Sequence, residues 1–319
     1  MIENKKILVT GGAGFIAYHL CSELLKKNNN IVIVDNLSTG NINNINKLKE
    51  KYNLEFIEAD IADKTIIDKL KNACFDIIFN LACPANPDYC FSHQFDVMNA
   101  CINGVFNVVE IAKNSNAKIV HFSTSEVYGD ALVIPQVEKY NGNVNPLGDR
   151  ACYEEGKRMA ETILMESSKK YALNVRIVRI FNTYGPHMQL YDGRVIVNFI
   201  KNALKNEDIV IYGTGKQTRS FCYVTDLVSG IIKLTCYDKE KFVVVNLGNP
   251  DEHSIREIAE IVKKMTNSNS RIINVPQKYD DHNRRKPDIN KAKSILNWEP
   301  TVSLKEGITS CIEYYGGLV

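Results

Sequence analysis

The chain opens on a short apolar run at residues 6–10 that ends in Gly11-Gly12-Ala13-Gly14. The period then changes, and Phe15, Ile16, His19, Leu20, Leu24 and Leu25 recur at helical spacing. A second apolar run at 31–34 stops at Asp35, so strand, glycine turn, helix and strand complete a βαβ unit within 35 residues. Further strand-like runs follow at 55–58, 76–80, 118–123 and 174–180, separated by helical patterns of crossover length. Alternation of this kind predicts an α/β fold, a Rossmann-type doubly wound parallel sheet covered by helices on both faces. Beyond about residue 181 the rhythm breaks into loops rich in Gly, Asn and Pro with short elements between them. That change predicts a dinucleotide-binding domain over 1–180 with a returning segment at about 220–245. A smaller C-terminal substrate domain is expected from 181–219 and 246–319.

Composition narrows the partners. With 39 basic and 37 acidic residues spread along 319 positions, the formal charge of +2 argues against nucleic acid as a partner. No apolar run is long enough to span a bilayer, so a membrane is not expected as a partner either. Nine cysteines without a Cys-x-x-Cys, Cys21, Cys74, Cys101 and Cys236 among them, read as buried free thiols of a cytoplasmic enzyme. No cluster of His, Cys and Asp stands at metal-ligand spacing, and no metal is expected.

Candidate chemistry starts with Tyr153 and Lys157, one helical turn apart. A free phenol is a poor base at neutral pH, and a cation at i+4 favours its phenolate. Such a pair suits proton removal from a carbinol whose hydride leaves to a nicotinamide. The glycine turn supplies the dinucleotide site: Gly11 and Gly14 let backbone amides approach a pyrophosphate at the positive end of the following helix. The third small position is Ala17, a departure from glycine. Asp35 is placed to accept both adenosine ribose hydroxyls, which favours NAD over NADP, and Asp60 to take the adenine amino group.

Dense motifs run through Asn80-Leu81-Ala82-Cys83-Pro84-Ala85, 123–130, Ala151-Cys152-Tyr153-Glu154-Glu155-Gly156-Lys157, 179–186, 192–200, 212–226 and Arg285-Lys286-Pro287-Asp288-Ile289. By these the chain resembles the extended short-chain dehydrogenase/reductase family of nucleotide-sugar enzymes, and within it the UDP-glucuronate decarboxylase branch, over nearly its whole length. The resemblance implies NAD as cofactor, with Phe15, Ile16, Asn36, Ile61, Leu81 and Ala82 completing its site. It makes Tyr153 the base and Lys157 a ligand of the nicotinamide ribose. Asn182 and Arg219 would hold a nucleotide diphosphate, Arg194 and Asn198 would line that cleft, and Pro84, Asn99 and Tyr212 would complete the substrate side.

After Thr124, related dehydratases carry an acid where this chain has Ser125, and a serine hydroxyl cannot protonate a leaving group at C6. Decarboxylation needs no such donor: a C4 ketone lies β to the C6 carboxylate and takes up the electrons released with carbon dioxide. The resemblance then gives Glu126 work with water near C5 and Arg285, rather than Arg284, the anchoring of the carboxylate. The implied reaction is transient C4 oxidation of a nucleotide-activated uronate, loss of carbon dioxide and re-reduction, most simply UDP-glucuronate to UDP-xylose. A 4,6-dehydratase, a 4-epimerase and a regulator that binds without turnover are the alternatives. The last is motivated by Asn99-Ala100-Cys101, which stands where the branch has Lys-Thr-Asn; His187, in place of an arginine, reads as a loop residue. By family analogy the chain forms a homodimer through helices near 96–113 and 153–170.

Overall fold

The computed structural model describes residues 1–191, 193–276 and 284–319. Asp192, which the sequence places at the head of a family motif, lies outside the described residues. Seven strands form the central sheet: β1 (Lys6–Thr10), β2 (Asn30–Asp35), β3 (Glu55–Glu58), β4 (Ile77–Asn80), β5 (Lys118–Thr124), β6 (Val175–Ile180) and β7 (Phe242–Leu247). Their order is β7-β6-β5-β4-β1-β2-β3 and every pairing is parallel, with β1 and β4 adjacent at the point where the winding reverses.

The strand pleat sends alternate residues to opposite faces, which explains the continuous apolar runs. Ile7 and Val9 pack with Leu20, Leu24, Leu227 and Ile231 on one side. Leu8, Ile78 and Ile119 pack with Val105, Val108, Ala160 and Leu164 on the other, against the helices Gln94–Ser115 and Ala151–Tyr171. Each such aliphatic side chain contributes roughly 1.5–3 kcal/mol by leaving water. Ala17 sits fully buried in the first of these cores, so the departure from glycine fills a helix-to-sheet contact. A third apolar cluster joins the helices Val195–Leu204, Ile255–Met265 and Leu304–Gly316.

The segment after residue 246 divides between these cores. Ile289, Ala292, Leu296 and Trp298 pack on the sheet side, whereas Ile258, Val262, Ile308 and Cys311 pack in the third cluster. Trp298 is pinned by its indole N–H to the Asp226 carbonyl at 3.0 Å, and the Asp226 carboxylate takes the amides of Thr301 (3.0 Å) and Val302 (2.9 Å). A three-stranded sheet then places Thr218–Ser220 between Glu252–Ser254 and Arg284–Arg285, with Arg285 in register beside Arg219. Cys21 and Cys101 are buried as expected, but Cys74 and Cys236 are exposed, because one sits in a left-handed turn and the other caps a helix C-terminus.

Candidate active site

A cleft of about 930 Å³ runs over the carboxyl ends of the strands. One half is built of backbone. Gly11 adopts φ +70°, and a Cβ there would lie 2.7 Å from the Ala82 nitrogen, so only glycine lets β1 turn beneath the loop after β4. The helix Phe15–Leu25 starts at Gly14 without a side-chain cap, leaving its first-turn amides for another acceptor. Gly11, Gly14, Phe15, Ile16 and Leu81 all line this half.

Of the other residues expected at the dinucleotide, Asp35 and Ile61 are buried and Asn36 and Asp60 exposed, at or just after the ends of β2 and β3, and Ala82 sits in the loop after β4. Asp35 accepts the Ala13 amide at 3.0 Å and the Leu37 amide at 2.8 Å, closing the glycine turn against the end of β2. Burial holds its carboxyl above the usual carboxylate range despite these bonds. Asn36 donates to Asp60 at 3.2 Å, and Ile61 lends its carbonyl to Asn107 at 2.8 Å.

The other half is built of charged side chains. Thr124 ends β5 and accepts the Glu126 amide at 3.2 Å, which turns Ser125, Glu126 and Val127 into a short 3-10 helix. Tyr128 locks that turn by donating to Asn246 at 2.7 Å and accepting from Arg179 at 3.0 Å. Glu126 is thereby aimed at Arg285, with contacts of 2.6 and 2.9 Å to its two terminal nitrogens, while Arg150 lies 3.5 Å away on the same carboxylate. The adjacent Arg284 turns outward to Glu252 at 2.7 Å. Its side chain is 49% exposed against 10% for Arg285, so strand alternation decides which of the two faces the cleft.

Tyr153 and Lys157 enter the cleft from the helix Ala151–Tyr171, with the ammonium 5.9 Å from the phenol ring centre and donating to the Phe122 carbonyl at 2.8 Å. The expected sign of the lysine's effect holds, but its outcome differs. Burial drives the Tyr153 hydroxyl well above the usual phenol value, and Lys157 draws it only part of the way back. Burial likewise opposes the Lys157 charge, yet Cys83, Cys101, Tyr153 and Glu161 around it more than restore its proton affinity.

Asn182, Arg194, Asn198, Tyr212 and Arg219 line the same half, and Arg219 donates to the Thr218 carbonyl at 2.7 Å. Pro84 and Asn99 do not. Asn99 sits on the outward face of the helix Gln94–Ser115 and accepts from Asn103 at 2.6 Å, because the helical register that buries Val97 and Cys101 turns it away. Pro84 points its carbonyl at Cys90, 3.6 Å away. His187 is in the cleft wall, at φ +69°, stacked 3.8 Å from Tyr18.

Arg150 was not marked by any period or motif. A signal was present nonetheless: a cation at a helix N-terminus opposes the helix dipole, and such a placement needs another reason.

A glycine turn at the switch point of a parallel sheet, with a buried Tyr/Lys pair above the strand ends, defines a dinucleotide-dependent enzyme of the short-chain dehydrogenase/reductase class. A family model described as GDP-mannose 4,6 dehydratase matches residues 8–311, and the chain belongs to this extended short-chain dehydrogenase/reductase family. It is 43% identical over 313 residues to UDP-glucuronic acid decarboxylase 1 of Xenopus tropicalis, covering 98% of this chain and 72% of that one. Among solved structures it is similar to UDP-glucose 4-epimerase of Thermotoga maritima with UDP-glucose (TM-score 0.91, 27% identity, 98% and 99% of the two chains). It is also similar to UDP-glucuronic acid 4-epimerase of Bacillus cereus in complex with UDP-glucuronic acid and NAD (TM-score 0.86, 27% identity, 98% and 100%).

Proposed function

We propose that the protein is an NAD-dependent decarboxylase of a nucleotide-activated uronate, converting UDP-glucuronate to UDP-xylose. The observation that carries this reading is the Arg285 fork closed on Glu126 in the same cleft as Tyr153 and Lys157, with Ser125 where a dehydratase needs an acid. The likeness to the frog decarboxylase supports it.

The residues present fit NAD: a glycine turn that a Cβ would obstruct, an uncapped helix start for the pyrophosphate, and Asp35 with a lone pair left on each oxygen for ribose hydroxyls. Bound NAD supplies the acceptor, and later the donor, of one hydride at sugar C4. Tyr153 takes the C4 hydroxyl proton as the hydride leaves, and Lys157 stabilises the phenolate that results. Because burial disfavours that phenolate, the Lys157 charge matters more here than on a solvated helix face. The C4 ketone accepts the electron pair left when the C5–C6 bond breaks and carbon dioxide departs. Glu126, paired with Arg285 and within 3.5 Å of Arg150, orients the water that reprotonates C5, and Arg285 steadies the charge that develops nearby. Return of the proton from Tyr153 to the C4 oxygen closes a cycle without net redox change. Asn182 and Arg219 hold the diphosphate, flanked by Arg194, Asn198 and Tyr212.

Incubation of the NAD-loaded protein with UDP-glucuronate, followed by mass spectrometry, is expected to yield carbon dioxide and a pentose nucleotide. Intact UDP-glucuronate after long incubation with folded, NAD-loaded protein would overturn the reading.

We also propose a homodimer, supported by exposed Phe95, Phe106, Met159 and Met165 on the outer faces of the paired helices Gln94–Ser115 and Ala151–Tyr171. Sedimentation should give twice the chain mass, and Phe106→Asp should halve it. A cytoplasmic location, supported by nine unbridged cysteines, completes the proposal.

A further inference from the structure

Behind the Tyr153/Lys157 pair lie two thiols from distant parts of the chain. Cys83 follows β4 in the loop that carries Leu81 and lines the cleft, whereas Cys101 is buried a third of the way along the helix Gln94–Ser115. Their sulfurs are 3.1 Å apart, and a modest side-chain shift closes that gap to a bond. The pair presses on the catalytic helix: a Cβ at Gly156 would sit 3.3 Å from the Cys101 sulfur. The loop after β4 and the helix of Tyr153 and Lys157 therefore meet at these two sulfurs.

We propose that Cys83 and Cys101 form an oxidation site for peroxides, closing to a disulfide that ties the cofactor-side loop to the helix Gln94–Ser115 and stops turnover. The part concerning turnover rests on the role given to Tyr153 and Lys157 above. Cys83 is the attacking sulfur. Its sulfur shares a hydrogen bond with the Cys101 sulfur, and that contact, with the Lys157 ammonium beside it, holds its thiol below the ordinary cysteine range although burial works the other way. Cys101 is correspondingly held above it. The other two thiols nearby have no sulfur partner among the described contacts: Cys90 donates to the Pro84 carbonyl at 3.6 Å, an oxygen that Cys83 also reaches at 3.5 Å, and Cys152 donates to the Cys90 carbonyl at 3.8 Å, while burial pushes the Cys90 thiol up to about 12.

The step balances. The Cys83 thiolate attacks one peroxide oxygen, the O–O bond breaks and the leaving oxygen takes a proton, giving a sulfenic acid and a first water. Cys101 then attacks that sulfur, loses its proton and displaces the hydroxyl as a second water. Two thiols are oxidised and one peroxide is reduced. The bond removes a thiolate from beside Lys157 and fixes the loop that shapes the dinucleotide half of the cleft.

The test treats NAD-loaded protein with hydrogen peroxide, alkylates the remaining thiols, and maps peptides with a protease that cuts before Asp88 and Asp96, both of which separate the two cysteines. Expected are a loss of two hydrogens assigned to Cys83–Cys101, a parallel loss of UDP-glucuronate turnover, and recovery of both with dithiothreitol. Cys101→Ser and Cys101→Ala should resist peroxide, each judged against its own untreated turnover. Alkylation of both thiols after peroxide, a crosslink to Cys90 or Cys152 instead, a Cys83–Cys101 bond that leaves turnover unchanged, or equal sensitivity of the Cys101 variants would each overturn the proposal. Because the thiol map needs no substrate, failure of the decarboxylase reading would show separately, as absent turnover before any oxidant is added.

Discussion

The two halves of the cleft are made of different materials. The dinucleotide half is backbone: a glycine turn, an uncapped helix start and a carboxylate that closes the turn through two backbone amides. The sugar half is side chain: Glu126 between Arg285 and Arg150, and Arg219 in register with Arg285, delivered by strands far apart in sequence. Backbone sites tolerate changes of side chain and fail when a Cβ is added. Side-chain sites fail at single charges, because removing one partner strands the other in a poorly solvated place.

This contrast can be tested from its strongest point downward. Tyr153→Phe removes the proton acceptor and leaves both halves standing, so turnover should drop about a thousandfold with NAD still bound, as steady-state rates and cofactor content will show. Arg285→Ala strands Glu126 and should lower turnover about a hundredfold with little change in NAD content, whereas equal loss of NAD would merge the two halves. Gly11→Ala should do the reverse, weakening NAD roughly tenfold or more by strain at φ +70°, as titration of cofactor-stripped protein would detect.

A smaller effect is expected in stability against pH. Burial first, then His19, Lys47 and Lys51, hold His187 at about 4, below the ordinary histidine value. The unfolded chain therefore binds a proton that the folded chain refuses. The stabilising contribution is complete above the unfolded value of about 6.5 and is lost as pH falls through about 4. Discounted for the half-exposed ring, this amounts to roughly 1–2 kcal/mol. Thermal melts of His187→Gln should show a shallower fall over that window, and identical slopes would refute it. Least of all, Asn99→Ala should alter KM less than about twofold, since the side chain lies outside the cleft.

The backbone half was the more legible one because its signals are local: a period change and glycines within a few residues specify turn and helix together. The sugar half was legible only through motif resemblance, since nothing in the spacing of residues 126, 150, 219 and 285 shows that a three-stranded sheet and a helix start will bring them together. Arg284 against Arg285 illustrates why: the two differ only in strand phase, which depends on the pairing with Thr218–Ser220. Asn99 failed for a related reason. A motif position was read as facing substrate, and helical register, set by which residues reach the core, turned it outward. The pull of Lys157 on Tyr153 was read with the right sign but without the burial that outweighs it, a quantity that sequence spacing does not contain.

The indole pinned to Asp226 has an optical consequence. Trp298 is the sole tryptophan of the chain, so its emission reports one place, the seam between the helix Val224–Thr235 and the last segment. Detachment of that segment would admit water to the ring and shift its fluorescence to the red. The protein thus carries a native dye against which thermal, oxidative or cofactor-dependent loosening of its C-terminal third can be timed without any label.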